Sequence, residues 1–270
     1  MKTLFEVAAA CAFLGMIVPA AEAHEFWIEG QIDPDGATLT LDLKVGQNLD
    51  GVSLPYFPET VSAFHWVSGG KGDIVGQIGE IPSVRLPFDS SEGAVVFHRT
   101  KPRQLVHSDP ELFQRYLDME GLHHIPVLHA ERGLPPAGFV EEYSRHAKLY
   151  VSSANEPTLQ DAYQGSPVEF VVEQIRRQHG SIRINARLET PFGPSRAQVT
   201  VFAMGADGVK RRIIVPDQHG RVDIQLQNRD SVLLNAVIMR PLPRGDAVWS
   251  SDWASLRIQF SNQGDRSSQR

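Results

Sequence analysis

Apolar and polar positions alternate along much of this chain. In Arg221-Val222-Asp223-Ile224-Gln225-Leu226-Gln227 the alternation is strict, which predicts a strand with one buried and one wet face. Comparable short runs, alternating or rich in β-branched residues, occupy 168–174, 181–188, 198–204, 212–215, 232–239 and 256–260. About seven short strands with turn residues between them predict a β-sandwich in the second half. The first half mixes strands, at 38–45 and 94–98, with helix. Asp109-Pro110-Glu111 is a helix start: Asp caps, Pro occupies the first turn and Glu111 favours the positive end of the dipole. Leu112, Phe113, Tyr116 and Leu117 then share one face, and Gly121 ends the helix. The run from Glu141 to Lys148 reads as a second short helix, and 123–129, followed by Pro135-Pro136, as a loop.

Asn155-Glu156-Pro157 and Gly165-Ser166-Pro167 punctuate a polar stretch and mark a boundary. The expected organisation is a β-rich domain over 24–160 with a helical insertion, a β-sandwich domain over 161–262 and a disordered tail over 263–270. The fold class expected is therefore mainly β, in two β-domains, with one or two short helices in the first.

The first 23 residues change the picture of where the protein works. Lys2 opens a positive n-region, residues 7–18 form an apolar run too short to span a bilayer, and Ala21-Glu22-Ala23 is an A-x-A cleavage site. The chain is thus expected to be secreted to the periplasm and to begin, once processed, at His24, with no membrane span left after cleavage. Its one cysteine, Cys11, lies in the leader, so any metal site must use imidazole, carboxylate, thioether or backbone donors. With 26 Lys+Arg against 32 Asp+Glu and no basic block, the chain is a poor candidate for nucleic-acid binding. GxSxG, P-loop and Rossmann glycine patterns are absent.

His24 is the sharpest chemical feature. At a free terminus it offers its α-amine and ring Nδ1 to one metal ion. The α-amine ordinarily titrates at ~7.7–8.0, so near neutral pH it releases its proton at little cost. Such nitrogen donors suit copper(II) and nickel(II). The alternative is that cleavage simply fell there, with Phe26 and Trp27 entering the core. His123, His124, His129 and His146 form a second group around the Pro-bounded loop, either convergent ligands or ordinary solvated or hydrogen-bonded histidines. On the expected helix Glu141 and Arg145 are four apart, an ion pair in the plain reading. In the sharper one Glu141 or Tyr143 adds an oxygen ligand or a hydrogen bond behind a histidine. His65, among aromatics, reads as structural; His98, His107, His179 and His219 read as surface residues. Trp249 and Trp253 read as core edge rather than a sugar platform.

Four separated motifs carry a resemblance over nearly the whole mature chain. They are Ala23-His24-Glu25-Phe26-Trp27, the stretch from Phe113-Gln114-Arg115-Tyr116 to Met119-Glu120-Gly121-Leu122, Glu141-x-Tyr143-Ser144-Arg145-x-Ala147-Lys148, and Trp249-Ser250-Ser251-Asp252-Trp253-Ala254-Ser255-Leu256. Together they resemble a domain-of-unknown-function family of secreted bacterial proteins, described as the periplasmic component of ABC-type cobalt or nickel transport systems. The resemblance implies an immunoglobulin- or transthyretin-like C-terminal sandwich. It also implies a protein that binds nickel or cobalt and passes it to an inner-membrane ABC-type or an outer-membrane metal transporter; copper is close behind on ligand chemistry alone, and the role expected is non-enzymatic. The ligands expected are His24, His124, His129, His146 and Glu141, backed by Tyr143 and Arg145. The chain departs from the family in Val237-Ile238-Met239-Arg240, where many relatives place a histidine before the methionine, and in Pro216-Asp217-Gln218-His219-Gly220, where they have a Thr-Asp turn. Two rivals stand beside this reading: a metal-free periplasmic interaction or carbohydrate-binding module, and an oxidative copper enzyme built on a histidine brace.

Overall fold

The computed structural model describes residues 25–260, except 35, 69, 90–91, 153–158, 179 and 228–230. His24, the expected signal peptide and the expected tail lie outside the described residues. Strands β1 (Glu25–Ile32), β2 (Thr38–Gln47), β3 (Asp50–Leu54), β4 (Val61–Val67), β5 (Lys71–Asp73), β6 (Val84–Pro87), β7 (Ala94–Thr100) and β8 (Arg103–His107) come first. Helices α1 (Pro110–Met119) and α2 (Ile125–Glu131) then precede the long β9 (Phe139–Ser152). After it run β10 (Glu169–Gln178), β11 (Ser181–Thr190), β12 (Gly193–Pro194), β13 (Val199–Gly205), β14 (Gly208–Ile214), β15 (Arg221–Gln227), β16 (Ser231–Pro241) and β17 (Ala247–Phe260). Among the described residues the protein is mainly β with two α-helices, neither of them long and apolar enough to cross a membrane.

Three sheets pack as layers. A nine-stranded sheet in the order β14-β13-β16-β17-β9-β7-β4-β5, with β8 also on β9, runs through the middle. Strands from both halves of the sequence meet in it where β17 pairs with β9 in parallel, from Ala247 opposite Val140 to Phe260 opposite Ser152. The sheet of β1, β2, β3 and β6 covers one face, and the sheet of β10, β11, β12 and β15 covers part of the other.

Strand periodicity sorts the core. Side chains alternate across a strand, so Ala147, Leu149 and Val151 of β9 pack with Phe26, Ile28, Leu39 and Leu41, while Tyr150 packs with Phe170, Ile184 and Ile224 on the opposite face. β15 keeps the strict alternation read from its sequence, with Val222, Ile224 and Leu226 buried and its polar residues out. The strand assignments of the second half hold, most within about four residues of the observed ends, but the last, 256–260, covers only the final part of β17, which begins at Ala247.

Helix α1 forms as its signals dictate. Asp109 Oδ1 accepts from the backbone N–H of Glu111 at 2.8 Å and of Leu112 at 3.2 Å. At the other end Gly121 takes φ +70°, and Leu122 N–H donates to Leu117 O at 2.8 Å, the αL cap that favours glycine. Phe113, Tyr116 and Leu117 enter a cluster with Phe139, Trp249 and Trp253.

Two expectations are overturned. The run from Glu141 to Lys148 is not a helix; it is the middle of β9, hydrogen-bonded to β17 and to β7 or β8. No period-2 pattern marks it because residues 142–145 are partly covered on both faces, and Glu141, His146 and Lys148 are buried against polar partners instead of facing water. The segment read as a loop contains α2, whose Pro126 sits in the first turn, where a missing N–H costs nothing.

Strand β1 is held on both edges. One pairs with β2; the other docks on side chains of β17, where Ser255 Oγ donates to Phe26 O at 2.6 Å and Gly30 N–H donates to Gln259 Oε1 at 2.7 Å. Between them Arg257 binds Glu29 at 2.9 Å. Residues 255, 257 and 259 share a face of β17, so three successive inward side chains replace the missing strand. This clamp fixes where the described chain starts its folded path.

Candidate functional site

The residues nominated from the sequence fall into separate environments. His24 lies outside the described residues. His124 is exposed at the N-cap of α2, and its side chain makes no capping hydrogen bond. His129 is buried with both ring nitrogens engaged: Nδ1 accepts from the Trp249 indole N–H at 3.0 Å, and Nε2 lies 2.8 Å from Pro135 O. An indole only donates and a carbonyl only accepts, so these bonds define a neutral tautomer with no lone pair left for a metal.

Glu141 is buried at the centre of another network. His107 Nε2 lies 2.6 Å from Glu141 Oε2, while Ser251 Oγ and the Tyr116 hydroxyl (3.3 Å) donate to Oε1. Trp253 Nε1 donates to Ser251 Oγ at 3.0 Å. His107 stacks on Phe139 and Tyr116. This network ties α1 to the central sheet at β8, β9 and β17. It also corrects the reading of His107 as a surface residue, since a strand end here is roofed by a helix.

His146 points to the face of β9 opposite Glu141. Its Nε2 lies 3.0 Å from Asp252 Oδ1, and Asp252 also binds Arg240. Tyr143 and Arg145 share the Glu141 face but engage each other, with the Arg145 guanidinium 5.1 Å from the Tyr143 ring centroid and 5.8 Å from that of Phe26. Among the described residues no group of three or more His, Cys, Asp or Glu side chains is placed to hold a metal ion. The structure thus does not bring His124, His129, His146 and Glu141 together.

Another set lies at the start of β1. Glu25, the residue that follows His24, is 3% exposed, and its Oε2 has no hydrogen-bond partner among the described residues. Burial pushes the Glu25 carboxyl up to about 7, opposed by its own backbone N–H, by Arg211 and by the Asn48 N–H. Asn48 and Leu49 form the two-residue β2–β3 hairpin with φ of +55° and +61°, which turns that N–H toward Glu25. Glu120 is also buried, and burial followed by the Glu25 charge pushes it up to about 8. Asn235 Nδ2 donates to Glu120 Oε2 at 3.0 Å.

Glu120 is the C-cap of α1, where the helix dipole places partial negative charge. The adjoining Met119 carbonyl accepts from Gln198 Nε2 at 3.2 Å and Arg211 Nη2 at 3.0 Å. A helix end, two buried carboxylates and one facing guanidinium make a place that favours added positive charge. In the sequence Glu25 and Glu120 stand only as members of longer motifs. A carboxylate at the negative end of the expected helix is the one local signal that marks the site.

No family model, curated protein or solved structure matches the chain.

Proposed function

We propose that this protein works in the periplasm, begins at His24 after cleavage, and binds a transition-metal ion as cargo through that residue, aided by Glu25 and Glu120. The observation that carries the proposal is the buried Oε2 of Glu25, without a hydrogen-bond partner among the described residues, with the Glu120 carboxyl close enough to feel its charge and His24 next in sequence. A buried carboxylate oxygen with no partner costs free energy unless a proton or a cation compensates it. A metal ion would supply that charge, and the neighbouring terminus would supply the α-amine and imidazole nitrogens.

The donor chemistry selects among metals. Mixed imidazole, amine and carboxylate donors suit nickel and cobalt, and copper(II) binds nitrogen donors more strongly still. Nickel or cobalt follows from the family resemblance, which also supplies the proposed recipient, an inner-membrane ABC-type or outer-membrane metal transporter. No catalytic role is assigned. Two of the histidines nominated from the sequence are already engaged. His129 is committed to Trp249 and Pro135, and His146 to Asp252.

The test is titration calorimetry of periplasm-processed protein with nickel, cobalt and copper(II). It is run beside a form carrying one extra residue before His24 and beside Glu120→Gln. Stoichiometric binding is expected, abolished by the extension and weakened at least about tenfold by Glu120→Gln, each tenfold being about 1.4 kcal/mol. Absent binding, or binding indifferent to the extra residue, overturns the proposal in favour of a metal-free interaction module.

A further inference from the structure

A cavity of about 340 Å³ opens between the two sheets of the first half, sharing no lining residue with the Glu25 and Glu120 site and independent of the metal reading. Its lining comes from β2 (Leu39, with Ala37 just before it), β4 (Trp66), the strand end at Leu86–Phe88, and β7 (Ala94, Val96), with Ser68, Asp89 and Glu92 at the rim. Leu39, Ala94 and Val96 are buried, so the floor is the apolar core itself. A volume near the lower end of the ~300–1,000 Å³ range of ligand pockets suits a small molecule.

The lining has a definite chemistry. Trp66 and Phe88 supply aromatic rings, Asp89 and Glu92 supply exposed carboxylates, and the described lining residues include no Lys, Arg or His. Ser68 Oγ lies 3.5 Å from Glu92 Oε2, which places that carboxylate over the same rim. The tryptophan has its place secured from the neighbouring strand. Gly72 pairs with Trp66 across β4 and β5, and a Cβ on Gly72 would fall 2.8 Å from the indole Nε1. The absence of a side chain at 72 is what lets the ring lie where it does. Apolar floor, aromatic walls and an acidic rim form the environment that recognises an organic cation: burial favours the carbon body, while ring quadrupoles and carboxylates favour the charge.

We propose that this cavity is a binding site for a small organic monocation, an amine or quaternary ammonium on a compact apolar or aromatic body. Anionic ligands are disfavoured by the two rim carboxylates, and neutral ones of the same shape forgo the attraction.

The experiment uses the full processed chain and three probes of one shape: benzylammonium, benzyl alcohol and benzoate, followed by ligand-observed NMR and calorimetry at low salt. Benzylammonium is expected to bind at least about tenfold more tightly than benzyl alcohol, with benzoate undetected. The preference should shrink toward unity in the Asp89→Asn, Glu92→Gln double variant and narrow with added salt, as screened rim charges require. Ala37→Trp, placed at the exposed rim and checked for native circular dichroism, should abolish binding of the cation. Equal binding of cation and alcohol, no binding of either, or undiminished binding in Ala37→Trp each overturns the proposal.

Discussion

At the scale of single residues, burial decides which side chains keep their ordinary chemistry. His98 reads from the sequence as a surface residue, yet it is 2% exposed, set between Phe26 and Phe64, with no hydrogen-bond partner for either ring nitrogen among the described residues. Burial, then the nearby His146, pushes it down to about 3. The sign of the pH effect follows. Between the unfolded value near 6.5 and about 3 the unfolded chain holds a proton that the folded chain refuses, so stability falls as pH drops through this window. The slope is at most about 1.4 kcal/mol per pH unit from this residue. Urea unfolding at pH 7 and pH 5 checks it: His98→Phe, which keeps a ring among rings, should lose less stability on acidification than the parent. Equal losses would clear His98 of any part in the acid sensitivity. The sequence could not reveal this, because Phe26 and Phe64 approach His98 only through two different sheets. Glu25 and Glu120, 95 residues apart, escape the same kind of reading for the same reason.

At the scale of elements, local signals and tertiary cover compete. Helix α1 has its cap, proline, apolar face and glycine stop in agreement, and it forms as read despite the carboxylate of Glu120 at its negative end. Strand β9 has its local signals overridden: its charged residues resemble a solvated helix face, but pairing on both edges and cover on both faces hold it extended. Strand β1 shows a third case, in which an edge is completed by side chains instead of backbone. Arg257 is 4% exposed and binds Glu29 beneath it. Arg257→Met is therefore expected to destabilise the protein by about 1–3 kcal/mol, since it removes a charged hydrogen bond and leaves Glu29 partly covered. The measurement is the shift in urea midpoint. On the proposed metal-binding reading, a parallel loss of affinity is expected if the position of β1 sets that of the proposed terminus, whereas a purely local role would leave affinity unchanged.

At the scale of the whole molecule, the two halves of the chain share one sheet and one buried charge cluster. Lys148 of β9 lies 2.8 Å from Asp161 and 2.7 Å from Glu169, all three almost wholly buried. Glu169 also accepts from the backbone N–H of Gln164 at 2.9 Å, and Asp161 from that of Val172 at 2.8 Å. The segment that leads from β9 into the second half is thus pinned back onto β9. Removing the lysine strands two carboxylates, a change that typically costs about 3–5 kcal/mol. Lys148→Met should lower the unfolding midpoint accordingly, and Lys148→Met with Glu169→Gln should recover part of the loss. Because β17 and β9 form the seam, thermal unfolding should be one cooperative transition. Two resolved transitions would refute that coupling.

Periodicity, capping and composition are local in the chain, and they suffice for the fold class, most strand positions of the second half, the start and stop of α1 and the confinement of the one cysteine to the expected leader. The cleavage pattern, equally local, is what singles out His24. Other properties come only with tertiary structure: the run from Glu141 to Lys148 is a strand, His129 and Glu141 are consumed by buried hydrogen bonds, Glu25 meets Glu120, and a cavity with an acidic rim opens between β2 and β7. Each of these rests on burial or on contact between distant segments, and no pattern within one segment encodes which other segment will cover it.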